Sequence, residues 1–532
     1  MKKAALAVFG IFGLAVVALV VIPYLIDLNN YKREIAAELT ALTGRAWRID
    51  GAIDLAILPT PTITVRDLRL ANAPGGVAPD MLRVKMAQAR VSLWPLLSRE
   101  IRIERLVLLE PKLELERLAD GRLNWDLAID TAVRDGVTLR LDKIVVQDAR
   151  IGYRDGADAL VERFDDIDLI AFAESPGGPW RLEGKLVARG LPIDVEATFG
   201  GFARSPIPVT VDLATSAGAA KLAFTGSLGL VTAYSDLRGR LKVEVETLAP
   251  VIAALVPELA AHSNAPLFLN RRFTLGGTLE ASASDAALND VAFELGGVRG
   301  GGAINLGFGD VPRIDVALDF NRIDVDRFLA DAPAAESGVA SDVASLAALV
   351  LPGDLEATLD LRINGLVYNG SVVRQAQFVA ALEDAALVIQ QASALLPGGS
   401  DFTLFGVLEM VDGAPRFDGQ IEASADNLRA ALDWLDYPTD VVPADRLRKL
   451  SFSAKLVVTP KLAQFSAIDL RIDLSRISGG VNFGLGRRPA FNAAVMIDQI
   501  NLDAYMPVAG AASTADDAAG PLERWTPYAG EL

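Results

Sequence analysis

The alternation of apolar and polar residues slips by one position in this chain, and the slip recurs with the same pattern. Ile101 and Ile103 alternate with polar residues, and the alternation then resumes one residue late at Leu106 and Leu108. Strict alternation keeps one row of side chains on one face of a sheet, so a one-residue slip would turn that row to the other face. The pattern therefore predicts strands with a bulge or kink at the slip, which adds local twist and bend.

Copies of this pattern lie at regular intervals. Two copies stand 38 residues before and 38 residues after the Ile101 copy, and later copies begin at Leu318, Leu361 and Val495. A period of 20–50 residues is typical of repetitive, elongated architectures. Chance is the alternative, because alternating apolar pairs are common in any β-protein. The first three copies supply the candidate residues for lining an apolar groove: Ile63, Val65, Leu68, Leu70, Ile101, Ile103, Leu106, Leu108, Leu139, Leu141, Ile144 and Val146.

Composition excludes several classes of function. The chain has 532 residues, more than one compact core usually supports, and a net charge of −17, which argues against nucleic-acid binding. It has no Cys and a single His, so it has no thiolate chemistry and no site that needs two imidazoles. Residues 1–130 carry +2 and the remainder −19. This asymmetry fits either a protein that approaches an anionic membrane at its N-terminal end or simply a solvated acidic surface.

The N-terminus predicts a membrane anchor. Lys2 and Lys3 precede an uncharged apolar run from Ala4 to Ile22, whose ~28 Å length as a helix approaches the ~30 Å hydrocarbon thickness. A cleaved signal peptide is the alternative, but no small-residue cleavage site follows the run. We therefore expect residues 1–26 to form a single-pass inner-membrane anchor that leaves the bulk of the chain in the periplasm. Apolar spacing predicts a helix over residues 27–44.

The remaining chain divides into two predicted β-repeat regions. The first covers residues 27–250 and the second residues 251–507, with a short helix near 248–261 at the boundary. Residues 508–532 are rich in Ala, Gly and Asp and are predicted to be a disordered tail.

No catalytic set can be assembled from these residues. His262 has no partner and is predicted to lie on the surface, and the acidic residues Asp165, Asp166, Asp168 and Asp473 are typical of solvated strand ends. No calcium loop, phosphate cradle or nucleophile elbow is present. We expect no enzymatic activity, no cofactor and no metal site.

Short motifs in the first 125 residues resemble one known family. After the apolar run and helix come Gly44 to Gly51, Leu58 to Pro61, Trp94 to Leu97, Ile101 to Pro111 and Gly121 to Trp125. Their order and spacing resemble the N-terminal region of the AsmA family of bacterial envelope proteins. The resemblance implies an elongated β-groove that shields lipid hydrocarbon across the aqueous envelope.

Together these observations predict a mainly β chain: a transmembrane helix followed by an elongated, curved antiparallel β-sheet built of repeats, with a few short helices. The resemblance implies a role in outer-membrane biogenesis, with phospholipid carried or sheltered along the groove. The alternative is an envelope scaffold that modulates outer-membrane protein assembly through protein partners. The expected partners are membrane phospholipid, the inner membrane and other envelope proteins, but no nucleic acid. The sequence leaves open whether the apolar faces form an open groove or a closed sandwich.

Overall fold

The computed structural model describes most of the chain between residues 27 and 505. The described ranges are 27–57, 60–96, 98, 100–127, 138–156, 160–173, 175, 177–203, 205–216, 218–229, 236–255, 270–282, 284–309, 311–330, 353–440, 442–485, 490–499 and 502–505. The predicted anchor, His262 and the predicted tail lie outside them. Within these ranges, no helix combines the length and apolar character needed to cross a membrane.

The chain forms two compact units, Met1–Gly309 (unit 1) and Asp310–Leu532 (unit 2). The described strands of unit 1 are β1 Trp47–Ile49, β2 Ile53–Ala56, β3 Thr62–Ala71, β4 Asp80–Val91, β5 Glu100–Arg117, β6 Thr138–Leu141, β7 Lys143–Asp155, β8 Leu160–Ala173, β9 Trp180–Ala188, β10 Leu191–Phe199, β11 Ile207–Thr215, β12 Ala220–Leu228, β13 Leu237–Val245, β14 Phe273–Ala281, β15 Asp285–Leu295 and β16 Val298–Phe308. Those of unit 2 are β17 Pro312–Asp324, β18 Glu356–Tyr368, β19 Ser371–Glu383, β20 Ala386–Leu396, β21 Ser400–Val411, β22 Ala414–Ala425, β23 Leu450–Thr459, β24 Leu462–Ile472, β25 Ser475–Gly484 and β26 Ala490–Ile497. The two predicted repeat regions, with their boundary at residue 250, stay a prediction.

Helices are few and short, as predicted. The described helices are α1 Lys32–Thr43, α2 Leu93–Leu96, α3 Leu248–Leu255, α4 Val325–Ala330 and α5 Leu428–Trp434, with 3-10 turns at Leu28–Tyr31 and Leu502–Tyr505. The predicted helix over 27–44 is confirmed as the first 3-10 turn followed by α1. It ends at Gly44, whose left-handed φ of +67° lets its N–H bond the Thr40 carbonyl oxygen.

In each unit the strands form a long, curved, open sheet, and most of them pair with their neighbours in the chain. Pairing is antiparallel where short turns connect the strands, as predicted. The exceptions are β5, which pairs in parallel with β6 and β7, and β17, which pairs in parallel with β18. Parallel neighbours need a long crossover, and these two pairs are joined through residues 118–137 and 325–355. The predicted curved antiparallel sheet is therefore confirmed, with parallel pairing at these two junctions as the exception.

The parallel junctions explain two of the sequence spacings. Leu106 pairs with Ile144 and Leu108 with Val146, a constant offset of 38 residues. Leu318 pairs with Leu361 in the same way across the second junction. The earlier 38-residue spacing has another origin, because Ile63 aligns through Ala89 with Leu106 and not with Ile101.

The predicted irregularity is present at each of the first three slips, but its form differs. In β3, Asp67 takes a left-handed φ of +46° between Val65 and Leu68. In β5, Glu104 is the extra residue where the register with β4 shifts, because Arg105 pairs with Arg90 but Ile103 with Val91. In the third copy, Asp142 separates β6 from β7.

Left-handed acidic residues line up across unit 1. Asp67, Glu110, Asp148 and Asp166 have φ values of +46°, +47°, +53° and +50° and occupy neighbouring positions in β3, β5, β7 and β8. We call this line the crease. Lys85 donates a hydrogen bond to Glu110, which raises the pKa of the Lys85 ammonium, and the charges of Asp148 and Asp67 raise it further. Lys85 therefore interacts favourably with three of the four carboxylates of the crease and offsets part of their mutual repulsion.

Buried polar residues bind the described start of the first crossover, residues 118–127, to the sheet. The amide oxygen of Asn124, whose side chain is fully buried, accepts the Glu116 N–H at 2.9 Å, and its nitrogen donates to the Asn72 side chain and to the Glu114 carbonyl, both at 2.8 Å. The Glu116 carboxylate, in turn, accepts the N–H groups of Val77 and Ala78 at 2.7 and 2.8 Å. We call Asn124 and Glu116 the polar latch.

Candidate functional site

Two rows of side chains cross the sheet of unit 1 on one face without a charged or polar member. Directly paired residues on adjacent strands point to the same face, so the register defines each row. The first row contains Leu55, Ile63, Ala89, Leu106, Ile144, Ala171, Leu182, Ala197, Val211, Phe224, Leu241 and Gly277. The second contains Ile53, Val65, Ala87, Leu108, Val146, Leu169, Gly184, Val195, Leu213, Leu222, Val243, Leu275, Phe293 and Gly300. We call this the apolar face of unit 1.

Unit 2 has an equivalent apolar face. Its first row contains Leu318, Leu361, Phe378, Ala392, Leu404, Ile421 and Ala454. Its second row contains Val316, Leu359, Ala380, Ile389, Gly406, Gly419, Leu456, Phe465, Val481 and Ala493. Every member of these rows is apolar or Gly, so the same chemistry continues over the strands of each unit.

The opposite face of the sheet is charged over the strands that follow β8. In unit 1 the row between the two apolar rows includes Glu183, Glu196 and Asp212, which are directly paired, followed by Ala223 and Lys242. Ion pairs elsewhere on the strands are mostly exposed, and exposed pairs contribute little to stability. The sheet is therefore amphipathic over these strands, with one charged face that water can solvate and one apolar face.

No second layer closes the apolar faces in the described part of the chain. The described strands pack mainly against the strands beside them in the sheet, and α1, α2 and α4 contact single strands. The row residues are mostly half-buried, although Phe224 is only 5% exposed and Ile53 3%. The side chains therefore shield one another from water without a facing sheet to complete a dry core.

Phenylalanine rings lie across paired glycines in both apolar faces. A Cβ added to Gly226 or to its partner Gly239 would meet the Cζ atom of Phe224 at 2.8 or 2.7 Å. In unit 2 a Cβ on Gly406 or Gly419 would meet the Cζ atom of Phe417 at 2.7 Å. The ring thus covers the backbone that the glycines expose, a known way of stabilising glycine in sheets. The result is a flat apolar floor in which neither glycine can take a side chain.

Sequence reasoning missed this ring-over-glycine arrangement. The available signal was Phe-x-Gly on a predicted strand, at Phe224 to Gly226 and at Phe417 to Gly419. Residues i and i+2 of a strand share a face, so the pattern places ring and glycine together. The partner glycines, Gly239 and Gly406, become visible only once the register is known.

The twelve predicted lining residues fall into three groups. Ile63, Val65, Leu106, Leu108, Ile144 and Val146 lie together in the two rows of unit 1. Ile101 and Ile103 pair with Leu139 and Leu141 in a short separate ladder, in which Ile101 is 38% exposed. Leu68 and Leu70 lie across the crease, paired with Val84 and Leu82; Leu70 and Val84 are only 2% and 1% exposed and form a small local core.

Three of the four acidic residues considered for chemistry, Asp165, Asp168 and Asp473, have structural partners. Arg150 binds Asp165 at 2.5 Å, and Asp168 accepts the Asp148 N–H at 3.0 Å beside Lys185. Burial alone would raise the pKa of the Asp473 carboxyl, but N–H groups of Arg448, Lys449 and Leu447 and the Tyr505 hydroxyl lower it below its usual value of 3.8. Within the described ranges, no group of His, Asp or Glu side chains is arranged to hold a metal ion.

A cavity of about 1010 Å³ opens among the ends of β8 to β12. Arg102, Arg140, Arg181, Thr198 and Thr210 are among the residues that line it. Arg102 pairs with Asp142 and Arg140 with Glu100, each at 2.9 Å. Two of the three arginines named in the cavity lining are therefore neutralised by ion pairs. Its lining offers no nucleophile–base pair.

Comparison with known proteins supports one family. A model of the AsmA family matches residues 1–229, which confirms the resemblance carried by the motifs up to Trp125 and extends it through β12. No curated protein and no solved structure matches the chain.

Proposed function

Residues 1–229 are an AsmA family region, and from this premise we propose that the chain is an anchored envelope protein that shelters phospholipid acyl chains on its apolar faces. The anchor is the apolar run Ala4 to Ile22, and the described sheets stand in the periplasm. The observation that carries the proposal is the pair of uninterrupted apolar rows in each unit, on a face that the described elements leave without a second layer.

The direction of the rows fits an acyl chain that moves along the sheet. Rows run across the strands, at about 4.8 Å per strand, so a chain lying along them passes from strand to strand. It meets no charged side chain between β2 and β14, because every residue in the two rows is apolar. Each methylene removed from water contributes about 0.8 kcal/mol, so ten methylenes would give about 8 kcal/mol before ordering costs.

This mode of binding needs no specific polar residue. The proposed function therefore requires neither a catalytic set nor a cofactor, and it agrees with our expectation that the protein is not an enzyme.

The test compares two adjacent residues of β12 that point to opposite faces. Leu222 lies in an apolar row, whereas Ala223 lies between Asp212 and Lys242 on the charged face. A photo-crosslinking amino acid such as p-benzoylphenylalanine is placed at either position in the full chain and activated in living cells. We expect mass spectrometry to find phospholipid adducts for Leu222 and none for Ala223.

Two outcomes would contradict the proposal. Equal lipid adducts at both positions would indicate non-specific contact with membrane. Protein adducts at Leu222 without lipid would instead favour the scaffold that modulates outer-membrane protein assembly. A charged variant provides a second readout: Leu222→Asp should reduce the lipid recovered with the full chain several-fold, while Ala223→Asp should leave it unchanged.

A further inference from the structure

Strand β26 forms an edge of the described sheet in unit 2. All eight of its residues pair with β25, from Ala490 opposite Gly484 to Ile497 opposite Ile477. No other strand in the described ranges pairs with its second side. Every residue of β26 is exposed, including Phe491 at 66% and Met496 at 74%. The strand therefore offers a row of free backbone donors and acceptors flanked by apolar side chains.

Sheet edges are usually protected against pairing by charge, Pro, bulges or a covering element. Strand β26 (Ala-Phe-Asn-Ala-Ala-Val-Met-Ile) contains no charged residue, Pro or Gly, and its register with β25 has no bulge. In unit 1 the first strands are protected: the Asn29 side chain accepts the Ile53 N–H at 3.0 Å and donates to the Ile53 carbonyl at 3.3 Å. Asn29 thus covers part of the first strands of unit 1, whereas no described element covers the free side of β26 in unit 2.

The apolar face of unit 2 runs out to this edge. The rings of Phe465 and Phe483 stand edge to face with centroids 6.3 Å apart, and Phe483 and Phe491 are 5.3 Å apart. Phe491 on the edge strand leaves one side of its ring without a neighbour from the next strand. A further strand with apolar side chains on the same face would continue this surface.

We propose that the free side of β26 pairs antiparallel with β26 of a second copy, about a two-fold axis that passes between the two copies of Ala494. This register places Phe491 opposite Ile497 of the other copy and Ala493 opposite Val495. All four residues alternate onto the same face, so the axis joins two apolar faces into one. On the other face Asn492 meets Met496, and no like charges oppose each other because β26 has none.

The Asn29 contact at Ile53 favours pairing between two β26 strands over head-to-tail pairing of β26 with the first strands of another copy. Head-to-tail pairing would need the β1–β2 edge, where Asn29 already occupies the backbone of Ile53. An isologous contact between identical edges uses both partners completely and does not propagate into filaments. This inference does not depend on lipid binding and would hold for a protein-binding scaffold as well.

The absence of Cys from the chain makes the register directly testable. In the proposed register Ala494 faces its own copy across the axis, at a Cα separation of about 4.5–5.5 Å, which a disulfide can bridge. The full chain carrying Ala494→Cys, in detergent micelles under mild oxidation, should therefore become a covalent dimer within minutes. Ala292→Cys is the matched control, because Ala292 is also an exposed alanine but is paired on both sides by β14 and β16.

Cross-linking of Ala494→Cys no faster than Ala292→Cys would overturn the proposal. The mass of the unmodified full chain, by light scattering corrected for detergent, provides an independent readout. We expect a dimer whose dissociation constant rises at least tenfold on Ala494→Lys, with unchanged circular dichroism because Ala494 is exposed. A monomeric wild-type chain, or a chain that pairs only with a foreign protein, would also overturn it.

Discussion

At each of the two parallel junctions a carboxylate binds a turn beside the paired strands, but the two carboxylates differ in how far they are buried. In each, a strand with the slipped pattern crosses over and pairs in parallel with another strand carrying it. In each, a carboxylate near the junction accepts two backbone N–H groups of a turn at 2.7 and 2.8 Å: Glu116 binds Val77 and Ala78, and Asp326 binds Asn369 and Gly370. Glu116 is only 3% exposed and backed by Asn124, whereas the hydrogen bonds of Asp326 are exposed to solvent.

The difference shows where each unit depends on polar contacts. A buried hydrogen-bond network is costly to break, because a partner left behind cannot turn to water. An exposed carboxylate can be replaced by water at small cost. The second junction is supported instead by an aromatic contact, in which Trp434 stands edge to face with Tyr368 at 6.1 Å and donates to its carbonyl oxygen at 2.9 Å. We therefore expect the first junction to be the more sensitive to polar substitutions.

The largest expected effect is at the polar latch. Asn124→Leu removes three hydrogen bonds and leaves the Asn72 side chain, the Glu116 N–H and the Glu114 carbonyl without this partner. We expect local stability to fall by about 3–5 kcal/mol. Hydrogen-exchange mass spectrometry of the full chain should show faster exchange in residues 72–79 and 114–125. Asn305→Leu, at an exposed position of β16, should change stability by less than about 0.5 kcal/mol.

The phenylalanines over glycine allow the two units to be compared at one shared feature. Phe224→Ala removes a ring that is 5% exposed and should cost about 3 kcal/mol, whereas Phe417→Ala, at a half-buried ring, should cost about 2 kcal/mol. Each loss should appear as faster hydrogen exchange in its own glycine-bearing strands. Phe405→Ala, at a ring 39% exposed, is the control and should cost less than either. Equal losses at all three positions would contradict the covering role.

The comparison of the junctions predicts a smaller effect at Asp326. Asp326→Ala removes two exposed hydrogen bonds from the β18–β19 turn and should cost about 1 kcal/mol. Exchange at Asn369 and Gly370 is the readout, and Asp319→Ala, at an exposed position of β17, is the control. A loss as large as that of Asn124→Leu would show that solvent exposure does not distinguish the junctions.

The smallest expected effect is a pH dependence in unit 2. Backbone N–H groups and Tyr505 lower the pKa of Asp473 in the folded chain, so its contribution to stability is complete above the unfolded value of about 3.8. That contribution is lost as the pH falls below 3.8 and through the lowered folded pKa. Between pH 5 and pH 2.5, the protection factors of the amides of residues 447–449, which correct for the slower intrinsic exchange at low pH, should fall in the wild type. Asp473→Asn should show a shallower change, and identical profiles would contradict the role of this carboxylate.

Several features of the fold could be predicted because they depend on local periodicity. Apolar alternation gave the mainly β class, and the spacing from Leu28 to Leu42 gave the first helix. The slips at Asp67, Glu104 and Asp142 were recognisable because a one-residue shift of period needs a local irregularity. The family motifs up to Trp125 were recognisable as a group, but the buried role of Asn124 was not, because it depends on a turn back to Glu116 and on Asn72, which lies 52 residues away in the sequence.

The sequence by itself determined that this chain forms long two-faced sheets, because side chains alternate with period 2 and the chain supplies apolar residues at that period. Only the tertiary structure decided which strands are neighbours. The parallel junctions at β5–β7 and β17–β18, the separation of Leu68 and Leu70 from Ile63 and Val65, and the pairing of Gly226 with Gly239 all depend on register. Register follows from crossovers and backbone hydrogen bonds between distant segments, and these leave no local periodicity in the sequence.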